Sequence, residues 1–149
     1  MNSPSPSLAL TSGPNPARIT LRRLVEFPDI DISGHYHNSA VIRWIEAAEA
    51  VLHSRLGIAD LTFGFNPRLQ LDIQFRARLY FLDDIDIDLA VIHVGRSSVR
   101  YSFDIRRADT VAVTGQFAAA YLLKGAEHTR PWPEQVRRAL SEGGDRSEV

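Results

Sequence analysis

The chain has 149 residues, 44% hydrophobic and 23% charged, with 17 Lys and Arg against 18 Asp and Glu for a net charge of -1. That is the length and composition of one globular domain, and no basic block offers a surface for nucleic acid or an anionic membrane. Cysteine is absent, which excludes disulfides, thiolate nucleophiles and sulfur-ligated zinc and leaves Asp, Glu, His, Ser, Asn and backbone groups to carry any chemistry.

Residues 1–16 hold four prolines, four serines, a threonine and a glycine among few large apolar side chains. Such a stretch cannot bury enough surface to offset chain entropy and predicts a disordered tail. Leu8-Ala9-Leu10 is its longest apolar run and no 18-residue apolar segment follows, so neither a signal peptide nor a membrane span is expected. A cytoplasmic protein is the expectation.

Residues 19–30 read as a first strand, ending in Phe27-Pro28-Asp29, where proline stops ladder pairing. Over residues 39–56 the spacing becomes helical. Val41, Trp44, Ile45, Ala48, Val51, Leu52 and Leu56 form one apolar stripe, with Arg43, Glu46 and His53 away from it. Asn38 or Ser39 can cap its start and Gly57 can end it.

After an aromatic, glycine-containing loop (residues 61–67), strict alternation over residues 68–79 predicts a half-buried strand. Two further strands alternate Ile85, Ile87 and Leu89 with aspartates, then Val99, Tyr101, Phe103 and Ile105 with polar residues. In a last strand, residues 111–123, small residues on both faces predict close approach by neighbouring elements. Pro133 suits the first turn of a short helix over residues 133–140, and residues 141–149 are polar enough to fray.

The breaks at Gly95-Arg96 and Ala108-Asp109 are short, so consecutive strands should pair antiparallel in an α+β domain over residues 17–140. One long helix cannot cover both faces of five strands. The second face therefore meets water or a partner, and a homo-oligomer is expected.

The densest polar stretch is Phe27-Pro-Asp-Ile-Asp-Ile-Ser-Gly-His-Tyr-His-Asn38. On the residues alone, an Asp in Asp-x-x-Gly is ordinarily a turn former. Asn38 can be a helix cap, and His35 can support packing beneath the loop. His35 and His37 lack a third neighbour for a metal, and none is expected. At 100° per residue Glu49 lies about 65° from the centre of the apolar stripe and Glu46 about 125°, so Glu49 reaches a buried site more readily.

Asp29-x-Asp31-x-x-Gly34-His35-x-His37-Asn38, followed by Arg43-Trp44-Ile45-Glu46, resembles the strand-to-helix signature of the hotdog-fold acyl thioesterases. The likeness is to the branch with the hydroxybenzoyl-CoA and acyl-ACP thioesterases, and it extends through Gly95-Arg96-Ser97-Ser98-Val99-Arg100 to the late proline. It implies a five-stranded antiparallel sheet wrapped around a long central helix, protomers joined sheet edge to sheet edge as a homodimer or homotetramer, and acyl-thioester sites at the interface. It implies hydrolysis of an acyl-CoA or acyl-carrier-protein thioester with no cofactor, Asp31 being the nucleophile or general base.

In that chemistry a carboxylate attacks the carbonyl or deprotonates water while donors hold the oxyanion, and Asp31 sits just before a helix N-terminus suited to the latter. Asn38 would orient water or polarise the thioester. Gly34, His35, His37, Glu49, Phe63 and Phe65 are the candidate oxyanion and substrate contacts. Arg96, Ser97 and Ser98 are candidates for the phosphates of coenzyme A or pantetheine, or form an ordinary hairpin turn. The chain departs from the family pattern at Val41 and Glu49, where Tyr and Arg are usual. Hydration or dehydration of an acyl thioester, and a non-catalytic acyl-thioester binding module, are the alternatives. The former wants a His facing a helix carboxylate and the latter tolerates loss of Asp31.

Overall fold

Alternation with a period of two places Ile85, Ile87, Leu89 and Val91 on one face of β3 (Asp84–Val94), and Val99, Tyr101, Phe103 and Ile105 on the same face of β4 (Ser98–Arg107). All eight are at most 2% exposed in the computed structural model, which describes residues 13–148. With β1 (Arg18–Leu24), β2 (Arg68–Phe75) and β5 (Thr110–Ala120) these strands form one antiparallel sheet in the order β1-β3-β4-β5-β2. The buried face receives α1 (Asn38–Arg55), whose Ala40, Val41, Trp44, Ile45, Ala48 and Leu52 are sealed in the core. Burying an aliphatic side chain of this size contributes about 1.5–3 kcal/mol.

The opposite face of the sheet is polar. Arg22 pairs with Asp86, Asp88 takes both Thr20 and Arg106, and Asp104 takes Thr114.

Several boundaries differ from the sequence reading. The first strand stops at Leu24, because Phe27–Asp29 forms a 3-10 turn closed by the Glu26 amide on Asp29 Oδ2 at 2.8 Å. β2 stops at Phe75, where the amides of Arg76 and Ala77 both donate to the Ala112 carbonyl (2.8 and 3.0 Å) and break the ladder. As the sheet's last strand β2 is also less covered than its alternation suggested, with Leu69 60% and Phe75 47% exposed. The last strand ends at Ala120. His37, rather than Asn38 or Ser39, holds the N-cap position of α1, and no side chain caps it. His53, placed away from the apolar stripe by its spacing, is buried.

Gly57 leaves the helix at φ 75, and its amide donates to the Ser54 carbonyl. At Gly115 in β5 a methyl group would collide with the Asp72 carbonyl oxygen and the Phe103 ring, so the strand approaches its neighbours as closely as its small residues suggest.

The C-terminus is the largest correction. A short helix α2 (Ala59–Thr62) precedes β2, and α3 (Glu134–Glu142) packs Val136 and Leu140 into the core. The residues after α3, expected to fray, run instead beside β1, where the Arg18 amide donates to the Gly144 carbonyl and the Arg146 amide to the Arg18 carbonyl. Polarity misleads there because the contacts are backbone bonds and charge pairs, which need no apolar side chains. The expected N-terminal tail falls, up to residue 12, outside the described residues.

Candidate functional site

Asp31 lies in a loop that folds back on itself. Its amide donates to the His35 carbonyl, its carbonyl accepts the Gly34 amide, and Gly34 makes the turn at φ 86. Asp31 Oδ1 accepts the Ser33 amide at 2.7 Å and the Ser33 hydroxyl. The Ser33 hydroxyl and then its N–H hold the Asp31 carboxyl below its ordinary range, with smaller help from His35 and His37, so the group is anionic at neutral pH. The turn-forming habit and the availability of a carboxylate thus coexist.

The loop is fixed by its neighbours. Asp29 binds Arg43 on α1 at 2.9 Å, and its carbonyl takes the His37 amide at 2.7 Å, which ties the helix start to the turn. Tyr36 is buried, packs on Trp44 and Phe75, and donates its hydroxyl to the Ala77 carbonyl. An isolated bridge joins His35 to Tyr80.

These ties shape an open cleft of about 590 Å³ in which Asp31, His35, His37, Asn38 and Ser39 face residues 75–78. Asn38 and Ser39, the first two residues of α1, line this cleft at the positive end of the helix dipole. Asp31 and the first turn of α1 therefore line the same cleft. Gly34 belongs to the turn, outside the lining of the cleft.

The remaining candidates lie elsewhere. A second cavity, about 570 Å³, opens between the later turns of α1, α2 and residues 122–126, and contains Glu49, Glu46 and Phe63. Glu49 is a bidentate partner of Arg68, at 2.8 and 2.9 Å, and Arg68 also lies 4.3 Å from the Phe117 ring centroid. Phe63 is 78% exposed at the rim, whereas Phe65 packs against the core and its carbonyl takes the Leu122 amide.

The Arg96-Ser97-Ser98 turn is strapped from outside by residues 121–132. Tyr121 donates to the Ser97 carbonyl, and Trp132 to the carbonyls of Arg96 and Ser98. Arg96 itself is exposed. Ser98 and Arg68 pair near Ala120 and Ala119, at the end of β5 opposite Val113, which pairs with Phe75 beside the Asp31 cleft. At strand rise that separation is about 23 Å, so within one chain the two groups do not meet.

Sequence reasoning missed His53, Thr62, Arg68 and Tyr101. His53 Nδ1 meets Thr62 Oγ1 and its Nε2 meets Tyr101 Oη, each at 2.7 Å. Thr62 spends its own hydrogen on the Ile58 carbonyl, so Nδ1 carries the proton and Nε2 accepts from tyrosine. The only signal available was the four-residue spacing from Glu49 to His53, which sets both on one helix face. Among the described residues no group of three His, Asp or Glu side chains could hold a metal, and no helix is long and apolar enough to cross a membrane.

One long helix held in a curved antiparallel sheet, with an acidic turn at the helix entrance, defines a hotdog-fold domain of the thioesterase type. The model of the thioesterase-like superfamily matches residues 25–140, and the chain belongs to that family. A search of curated proteins finds no match.

Solved structures share the fold. A predicted thioesterase from Bacillus stearothermophilus superposes with a TM-score of 0.75 at 20% identity over 83% of this chain and 94% of that one. A thioesterase from Thermus thermophilus, complexed with coenzyme A and Zn, gives 0.73 at 22% over 81% and 95%. A 1,4-dihydroxy-2-naphthoyl-CoA thioesterase from Synechocystis gives 0.75 at 16% over 83% and 95%.

Proposed function

We propose that this protein hydrolyses an acyl thioester, with Asp31 as nucleophile or general base. The observation that carries the reading is the shared cleft, where an ionised Asp31 faces the open N-terminus of α1. As general base, Asp31 takes a proton from water as its oxygen bonds to the carbonyl carbon. The oxyanion draws on the first-turn amides at Asn38 and Ser39. The C–S bond then breaks, and the sulfur leaves with the proton that Asp31 held, giving an acid and a free thiol. As nucleophile, Asp31 would form a mixed anhydride that water opens to the same products.

Coenzyme A is the favoured thiol, since two of the similar structures are named for coenzyme A or a coenzyme A thioester. A carrier-protein pantetheine presents the same thioester and is the other arm of the test. A homo-oligomer completes the reading. If β2 of one copy pairs antiparallel with β2 of a second, the Asp31 cleft of one meets the Glu49 cavity and the Arg96 turn of the other. Phe63 would then flank the acyl group, and Arg96, Ser97 and Ser98 the phosphates. A cytoplasmic setting fits such soluble substrates.

The test is thiol release from a panel of aliphatic and aromatic acyl-CoA and acyl-carrier-protein thioesters, run on wild type and Asp31→Asn. Hydrolysis of at least one thioester, reduced by at least ~10²-fold in the variant with its fold and mass unchanged, supports the reading. Near-normal turnover by Asp31→Asn moves the catalytic assignment to Glu49 or a histidine, and no turnover by wild type leaves a binding module.

A further inference from the structure

The two outer strands of the sheet are treated differently. β2 presents its edge with Leu69 and Phe75 exposed beside it. Along β1 the inward backbone groups pair with β3, as where the Ala17 carbonyl takes the Val91 amide, so Arg18 and Thr20 turn their amides and carbonyls outward. An outward row of this kind is a template for another strand. Here three of its groups are occupied. The Arg18 amide reaches the Gly144 carbonyl at 3.0 Å, the Arg18 carbonyl takes the Arg146 amide at 2.8 Å, and the Thr20 amide reaches Ser147 Oγ at 2.7 Å.

The occupying segment is built to stay. Gly144, at φ 69, turns the chain out of α3 into a parallel run whose Asp145 bridges to Arg18. Arg55, in the last turn of α1, then grips it twice, bonding the Arg146 carbonyl at 2.6 Å and the Glu148 carboxylate at 2.8 Å. Arg146 returns a bond to the Arg55 carbonyl. A polar terminus of low apolar content is thereby held by six backbone and charge contacts, all aimed at the β1 edge or at the helix end beside it.

We infer that residues 145–148 are an edge guard: Arg146 takes the outward carbonyl of Arg18 and Ser147 the outward amide of Thr20, which prevents a second copy of this chain from adding to the sheet at β1. Edge-to-edge association is thereby confined to β2, and assembly through strands closes at a pair. With both edges open, pairing at β1 and β2 in alternation would have no end point. The inference goes beyond the hydrolytic reading and needs no substrate.

Ending the full chain after Gly144 tests it, because this removes the guard and keeps α3, the bond between the Gly144 carbonyl and Arg18, and the core contacts of Val136 and Leu140. Light scattering over a range of concentrations should show the wild type at a constant mass. The truncated protein, with native circular dichroism, should form species roughly twofold larger or more. Arg146→Pro, which removes the amide that bonds Arg18 together with the side-chain bonds to the Gly143 and Arg55 carbonyls, should do the same in a full-length chain. Adding Thr20→Pro to the truncated chain removes an outward amide and should restore the wild-type mass, since proline on an edge blocks pairing. Wild-type mass in both the truncated and the Arg146→Pro proteins overturns the inference. Larger species that Thr20→Pro leaves unchanged overturn it too, since the association would then lie elsewhere. A monomeric wild type whose truncated form doubles would retain the guard and remove only the β2 pairing.

Discussion

Glu49 on α1 and Arg68 at the start of β2 meet as a two-point ion pair, the side chains only 13% and 26% exposed. The pair bolts the middle of the helix to the strand least covered by it. Loss of one partner leaves a half-buried charge unmatched, whereas loss of both leaves neither. Arg68→Met should lower stability by about 1–3 kcal/mol, and Glu49→Leu with Arg68→Met should cost less than the two single changes together. Urea denaturation of the four proteins measures this, and costs that simply add would show the pair to be uncoupled.

His53 makes stability depend on acidity. Burial lowers its pKa from the usual 6.5, the Glu49 carboxylate pulling the other way and Arg68 adding to the fall. The unfolded chain therefore binds a proton more readily than the folded one. Stability is full above about pH 6.5 and declines below it, by at most about 1.4 kcal/mol per pH unit for one group, until the folded His53 itself titrates. A protonated ring would also lose the acceptor that holds the Tyr101 hydroxyl. Thermal melts between neutral and mildly acidic pH should show this slope in wild type and a flatter one in His53→Gln, and parallel slopes would assign the acid sensitivity to other groups.

Ser33 controls the charge of the proposed catalytic carboxylate. Its hydroxyl is the main cause of the lowered Asp31 pKa. A base whose pKa is depressed works above that pKa and fails as pH falls through it. Ser33→Ala should therefore move the acid limb of the kcat/KM profile to higher pH, leaving the plateau near neutrality little changed. An unmoved limb would separate Ser33 from the ionisation that governs turnover.

Gly115 offers a purely steric test. A methyl group there strikes the Asp72 carbonyl oxygen in β2 and the Phe103 ring. Gly115→Ala should destabilise the protein by about 1–3 kcal/mol, and hydrogen exchange at β2 amides should quicken before that of β3 and β4. Uniform quickening would show that the strain spreads through the whole sheet.

Much of this architecture is legible in the residues. The period-two runs through Ile85 and Val99 and the stripe through Val41, Trp44 and Ile45 carry the fold, because burial on one face imposes a periodicity that any reader can find. The dense polar stretch marks the Asp31 cleft. What lies hidden depends on coverage by distant segments. His53 looks solvent-facing until Thr62 and Tyr101 close over it. Leu71 and Phe75 look half-buried until β2 proves to be the last strand. Residues 145–148 look like a loose end because backbone-to-backbone bonds leave no mark on side-chain identity.

The break at the end of β2 has a practical consequence. The gap between the Asp31 loop and residues 75–78 is fixed where the Ala112 carbonyl takes two successive amides, those of Arg76 and Ala77, and where Tyr36 reaches the Ala77 carbonyl. Main-chain atoms thus set how wide the cleft stands, while Arg76 and Arg78 only decorate its wall. Exchange of those two arginines can retune which molecules enter while the aperture keeps its dimensions, and the cleft becomes a frame for redesigned selectivity in which chemistry and shape are adjusted separately.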